Sequence, residues 1–125
     1  MNFSKQLNIF GSQLEPCSSK PLTGFFRDGY CRTHGKDYGK HWLCAVVTDE
    51  FLQFSKACGN DLTTPKPEWD FAGLKQGDLW CLCTSRWLQA LEAGCAPLLK
   101  LRACHELALT MVELDVLSRY AIADA

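Results

Sequence analysis

The feature that most constrains this chain is a short plan used twice. HWLCAVVTDEFLQFSKACG and DLWCLCTSRWLQALEAG each run from an apolar block, through a hydroxyl residue, into an amphipathic stretch that ends at glycine. The first apolar block, Trp42 to Val47, suits a buried strand. Thr48 is a good helix N-cap, and Asp49 and Glu50 favour the positive end of a helix. Phe51, Leu52, Phe54, Ser55 and Cys58 then share one helical face, and Gly59 supplies the stop. In the second unit Leu79 to Cys83 reads as the strand and Thr84 or Ser85 as the cap. Trp87, Leu88 and Leu91 form the stripe, and Gly94 is the end.

The flanking stretches are less regular. Residues 11–41 are rich in Gly, Pro and Ser, which predicts ordered turns with one short strand at Phe25 to Tyr30. Phe10, Leu14, Leu22, Phe25 and Phe26 give this stretch apolar anchors. Residues 59–77 form a long aperiodic connection, with Leu62, Trp69, Phe71 and Leu74 to pack it down. Pro97 to Cys104 is a third strand candidate, Leu107 to Val112 is ambiguous, and Leu114 to Ile122 reads as a closing helix. The expected fold is α+β or α/β. It has a small central sheet of at least three strands, helices packed on it, and the Gly/Pro-rich N-terminal segment wrapping the core. Residues 1–125 form a single domain in this reading.

A net charge of −1 leaves no basic surplus to neutralise a phosphate backbone, so no nucleic-acid partner is expected. The apolar run at Trp42 to Val47 is far too short to span a bilayer, so no membrane partner is expected either. MNFSKQLNIFGSQ lacks the apolar region of a secretory signal, which points to the cytoplasm. Eight cysteines in such a compartment are expected to be reduced, several serving as small buried hydrophobes.

Cys81 and Cys83 on one strand face the same way, with Cα atoms roughly 6.6 Å apart. That spacing sits near the limit for a disulfide and is too wide for a shared zinc, so packed strand is the better reading. No C-x-x-C occurs, and a zinc site would need distant ligands such as Cys31, His41, Cys44 and His105. No metal and no cofactor are therefore assigned. In FFRDGYCRTHGKDYGKH, Arg27, Arg32 and His34 flank Cys31, and nearby cations favour a thiolate nucleophile. The bland alternative is a loop in which Arg27 and Asp28 make turn and salt-bridge contacts. His105-Glu106 suits acid–base work, although H-E-x-x-H is absent; a histidine bonded to backbone is the alternative. Asn60 and Asp61 are turn formers that could equally meet a ligand, and Arg86 could clamp an anion.

EPCS, TGFFRDG, CRT, the spaced His41, CAVVTDEFLQFSKACGNDLTTP, GDLWCLC, RW and HE resemble an uncharacterised bacterial family, domain-of-unknown-function family 2237. The resemblance runs from about Asn8 to Ile122. It implies no activity or cofactor, but it marks many polar positions as shared. This chain departs from it with Tyr30 in place of a second Cys beside Cys31, with Ala72 and Gln76 where Pro is usual, and with Glu113 for another Pro.

The expected function is a small-molecule-binding or thiol-dependent enzyme site. Cys31, His41, His105 and Glu106 are its catalytic candidates. Arg27, Asp28, Arg32, Asn60, Asp61, Cys83 and Arg86 are its ligand contacts. A non-catalytic protein-interaction module and a zinc-binding domain are the alternatives, and the partner is an unknown small molecule or protein.

Overall fold

The two apolar blocks pair with each other in opposite directions. In the computed structural model, which describes residues 6–122, β1 (Leu43–Val46) is the central strand. It runs antiparallel to β2 (Leu79–Leu82), with Leu43 opposite Leu82 and Cys44 opposite Cys81. A short β3 (Leu98–Leu99) pairs antiparallel on the other side through Ala45 and Val46, giving the order β2-β1-β3. Leu43, Cys44 and Ala45 are fully buried, so the central strand is covered on both faces.

Both strand-to-helix transitions form, the first where the pattern places it and the second one residue early. The Thr48 side chain accepts a hydrogen bond from the Phe51 amide and starts α1 (Asp49–Ala57), which buries Phe51, Leu52 and Ser55. The second helix, α2 (Thr84–Glu92), packs against α1. Its N-cap is Cys83, one residue earlier than expected, so the strand ends at Leu82. The shared-face reading of Cys81 and Cys83 is thereby corrected: Cys81 is buried in β2 and Cys83 is half-buried at the helix start. Trp87 of α2 is fully buried, meets Tyr120 edge-on at 5.2 Å and donates its indole N–H to the Pro97 carbonyl at 3.0 Å.

Residues 59–77 return the chain so that β2 begins beside the end of β1. Val47 and Asp78, and Gly77 and Val47, exchange backbone bonds there. Leu74 and Phe71 pack down as expected, but Trp69 is 64% exposed and lies under the Lys66 ammonium. The third strand is much shorter than Pro97 to Cys104, because a 3-10 turn at Leu101–Ala103 follows it directly. Residues Glu106–Thr110 also form a 3-10 turn, and the closing helix α3 covers only Leu114–Ser118. The whole is an α+β fold.

The N-terminal stretch has no regular strand or helix among the described residues, and Phe25 to Tyr30 is a run of bends. Its backbone is satisfied piecemeal. Asn8, fully buried, donates to the Gln13 and Arg102 carbonyls and accepts from the Phe10 and Ser12 amides. Buried Thr23 accepts the Cys81 amide at 2.8 Å, which occupies an outward-facing donor on edge strand β2. Gly24 has φ +102°, and a Cβ there would collide with the Tyr30 carbonyl.

The expectation of reduced, chiefly packing cysteines is corrected for four of them. Disulfides join Cys17 to Cys44 and Cys31 to Cys81, with Cα–Cα separations of 5.7 and 5.4 Å. They enclose sequence separations of 27 and 50 residues. In the chain-entropy account such links stabilise by about 3.5–4 kcal/mol each. Cys58, Cys83, Cys95 and Cys104 are free.

Trp87 is the core's largest fully buried side chain. Trp87→Ala should cost about 3–5 kcal/mol in urea unfolding, whereas Trp69→Ala should stay within about 0.5 kcal/mol.

Candidate functional site

The expected site residues do not meet in one cleft: seven are spread over three, and Cys31, His41, Asp28 and Arg32 line none of these three. One cleft, about 550 Å³, lies between the loop 33–42 and the segment 105–107. Thr33, Asp37, Trp42, His105 and Glu106 line it.

One wall is built by a chain of hydrogen bonds. The Trp42 indole N–H donates to the Thr33 hydroxyl at 2.9 Å, and that hydroxyl donates to Asp37 Oδ2 at 3.3 Å. The Asp37 carboxylate, fully buried, also accepts the His41 amide at 3.2 Å and His41 Nδ1–H at 2.6 Å. Because Nδ1 carries the proton toward the carboxylate, a neutral His41 presents its lone pair at Nε2. The imidazole lies against Gly39, where any Cβ would overlap its ring. The i, i+4 spacing of Asp37 and His41 around Gly39 in DYGKH is a signal that could have paired them; Asp37 and Gly39 were not singled out from sequence.

The opposite wall carries His105, which is 4% exposed. Its Nδ1 accepts the Leu107 amide at 3.1 Å and so caps the 3-10 turn. A neutral His105 therefore bears its proton on Nε2. That atom is buried and has no hydrogen-bond partner among the described residues. Burial lowers the His105 pKa from its ordinary value, against weaker opposing effects of Glu106 and Asp37. The bonded-to-backbone alternative thus describes one nitrogen and leaves the other unexplained.

A second cleft opens at the start of α2, where Tyr38, Gly39, Cys83, Ser85 and Arg86 come together. The Cys83 sulfur lies 3.1 Å from the Ser85 hydroxyl. Arg86 reaches the Cys58 carbonyl at 3.2 Å and Gln89 at 3.3 Å. The loop and the helix start are fastened by Thr84, whose amide and hydroxyl both donate to the Lys40 carbonyl.

The third cleft, about 400 Å³, contains Arg27, Asn60, Asp61, Lys66 and Trp80. Arg27 lies over the Trp80 ring at 5.5 Å. Asp61 is satisfied internally: the Thr64 hydroxyl and the Thr63 amide and hydroxyl hold its carboxyl well below the usual carboxylate range. Asp28 accepts the Tyr30 amide and pairs with Arg32 at 3.0 Å, which in turn covers the Tyr30 ring. These are the turn and ion-pair contacts of the bland alternative.

Cys31, the expected nucleophile, is fully buried and bonded to Cys81, so it offers no free thiol in this state. Burial pushes the free Cys104 thiol up to about 12, and it stays protonated. The expected zinc set of Cys31, His41, Cys44 and His105 is not assembled, since His41 is committed to Asp37 and His105 to Leu107. The potential ligand group that does gather is Cys17, Cys31 and Cys81, with sulfurs all within 4.8 Å of one another.

Fold and site define a small cysteine-rich α+β protein, with no helix among the described residues long and apolar enough to cross a membrane. The sequence model of the family described as "uncharacterized protein conserved in bacteria (DUF2237)" matches residues 7–121, and the chain belongs to that family. No curated protein matches it.

Folded His105 favours the neutral form relative to the unfolded chain. The unfolded state therefore binds more protons as pH falls below about 6.5, and stability declines there. Replacing His105 with Phe should remove this part of the decline, read as a flatter slope of unfolding free energy against pH between 7 and 5.

Proposed function

We propose that the chain binds a small organic molecule in the cleft between residues 33–42 and 105–107. The observation that carries this reading is the buried His105, whose Nδ1 is already used and whose Nε2–H lacks a partner. An unmet buried donor costs about 1–3 kcal/mol, and a ligand oxygen would recover it. The cleft is mostly apolar, with the Trp42 face as a platform, which is the usual balance of a small-molecule site. The favoured ligand has a flat apolar body and one carbonyl or carboxylate oxygen. Lys40 lines the cleft together with the carboxylates of Asp37 and Glu106, so an acid and a neutral carbonyl compound are both admitted. A reducing, cytoplasmic setting is part of this reading: there Cys58 and Cys83 persist as thiols, and the Cys17–Cys44 and Cys31–Cys81 pairs are met reduced.

Benzoate and benzamide are suitable probes. In amide and indole NMR spectra of the labelled full chain, shifts should concentrate on Thr33, the Trp42 indole and His105 to Leu107. His105→Phe should weaken benzoate binding at least tenfold without loss of fold. Shifts confined to other surfaces, or unchanged affinity in the variant, would refute the assignment and leave a protein-interaction module as the better reading.

A second reading, thiol-dependent chemistry, is favoured by one observation: Gly39, against which the His41 ring rests, shares a cleft with free Cys83 and Arg86. In it His41, oriented by Asp37, would take the proton of Cys83, and Arg86 would hold an anionic substrate group. Iodoacetamide should then alkylate Cys83 severalfold more slowly at pH 7 in His41→Asn than in the parent chain. Equal rates would end this reading.

A further inference from the structure

We propose that Cys17, Cys31, Cys44 and Cys81, when reduced, form a closed structural site for one zinc ion. These cysteines come from separate parts of the chain: two turns of the irregular N-terminal segment, central strand β1 and edge strand β2. All are at most 4% exposed. Two unrelated disulfides have no reason to lie sulfur against sulfur. Here the Cys17 sulfur is within 4.8 Å of both sulfurs of the Cys31–Cys81 pair, and Cys44 is bonded to Cys17 itself. Zinc–sulfur bonds of about 2.3 Å in a tetrahedron separate neighbouring sulfurs by about 3.8 Å. The sulfurs of Cys17, Cys31 and Cys81 are therefore already gathered close to that arrangement, and Cys44, bonded to Cys17, has to swing its sulfur toward the other two to complete it.

The pairing within the cluster points the same way. Cys44 and Cys81 are direct cross-strand neighbours, yet each is bonded to a loop cysteine. One strand pair thus sets two cysteines directly opposite each other and two loops bring one each, which supplies four ligands from four separate stretches of chain. Cys104 is outside the set: its sulfur accepts the Cys44 amide at 3.4 Å and donates to the Lys100 carbonyl at 3.4 Å. Full burial leaves no open coordination position, so the site suits a structural metal rather than a catalytic one.

The unpaired, half-buried Cys58 and Cys83 supply the redox argument. A reducing compartment that leaves them as thiols also presents the other four cysteines as thiols while the chain folds, before burial closes over them. In that setting each disulfide takes two electrons and two protons from a cellular dithiol, which leaves as its own disulfide. Zinc then displaces four protons from the four thiols and is held by four thiolates, with a net charge of −2 on the centre. The oxidised pairs and the zinc centre are two ways of fastening the same loops to the same strands.

The test uses the full chain expressed in a reducing cytosol with zinc in the medium. Native mass spectrometry and elemental analysis should find one zinc per chain. Denaturation with alkylation should count eight thiols. Cobalt loaded into the reduced, zinc-free protein should show intense thiolate charge-transfer bands and the visible bands of a tetrahedral ion. Cys83→Ser and Cys104→Ser should retain the metal, and Cys17→Ser and Cys81→Ser should lose it. If the last two fail to fold, the cobalt spectrum of the parent chain decides. A folded, fully reduced chain that takes up neither zinc nor cobalt overturns the proposal. So does a chain from that cytosol that carries both disulfides and no metal.

Discussion

The sulfur cluster fastens the part of the chain that has no regular structure to the part that has it. Roughly the first third of the described residues contributes no strand and no helix, yet Ile9, Cys17 and Cys31 belong to the same buried cluster as β1 and α2. Ordering backbone costs about 1–2 kcal/mol per residue, and short turns with few ladder bonds do not repay that locally. The compensation is concentrated at a few points: the Asn8 side-chain bond to the Arg102 carbonyl, the Thr23 bond to edge strand β2, and the sulfurs joining residues 17 and 31 to the two paired strands. Each is a long-range tie, which is why a stretch this rich in glycine and proline can be ordered at all.

The same ties set up the clefts. Cys31 holds the loop 33–42 at its start, and Trp42, leading into β1, holds it at its end. Between these points the Trp42–Thr33–Asp37–His41 chain fixes the loop's interior, and Thr84 fastens Lys40 to the start of α2. The loop therefore stands as a partition, with the His105 cleft on one side and the Cys83 cleft on the other. Tyr38 lines both. A substitution at Asp37 would loosen two clefts at once, since a buried carboxylate that organises three donors has no local substitute.

What could be read from the sequence follows from how local each cause is. Thr48 caps α1 because the cap and its amide partner are three residues apart, and the apolar stripe of α1 repeats at helical spacing; both are visible in a short window. The strand direction was not visible, because it depends on how residues 59–77 fold back, and no periodicity records that. The expected strand at Phe25 to Tyr30 failed because Arg27 and Gly29 adopt positive φ, which breaks extension. Trp69 failed as an anchor because a large aromatic in a loop gives no hint of which way the loop turns. Cysteine pairing was hidden for a combinatorial reason: eight thiols allow 105 full pairings, and spacing favours none of them.

The site residues divide along the same line. Asp28, Asp61 and Arg32 find partners within four residues of themselves, so their polarity is spent on turns and needs no ligand to explain it. His105 is different, because its backbone partner satisfies one nitrogen and by doing so forces the proton onto the other. Position after position in this chain closes its own hydrogen bonds, with Asn8, Thr23, Asp37 and Trp87 as buried examples. Against that background an open donor in the wall of an apolar cleft carries more weight than any number of exposed charges. In the proposed reading the oxygen of the bound molecule is the partner that the fold itself does not supply to His105 Nε2.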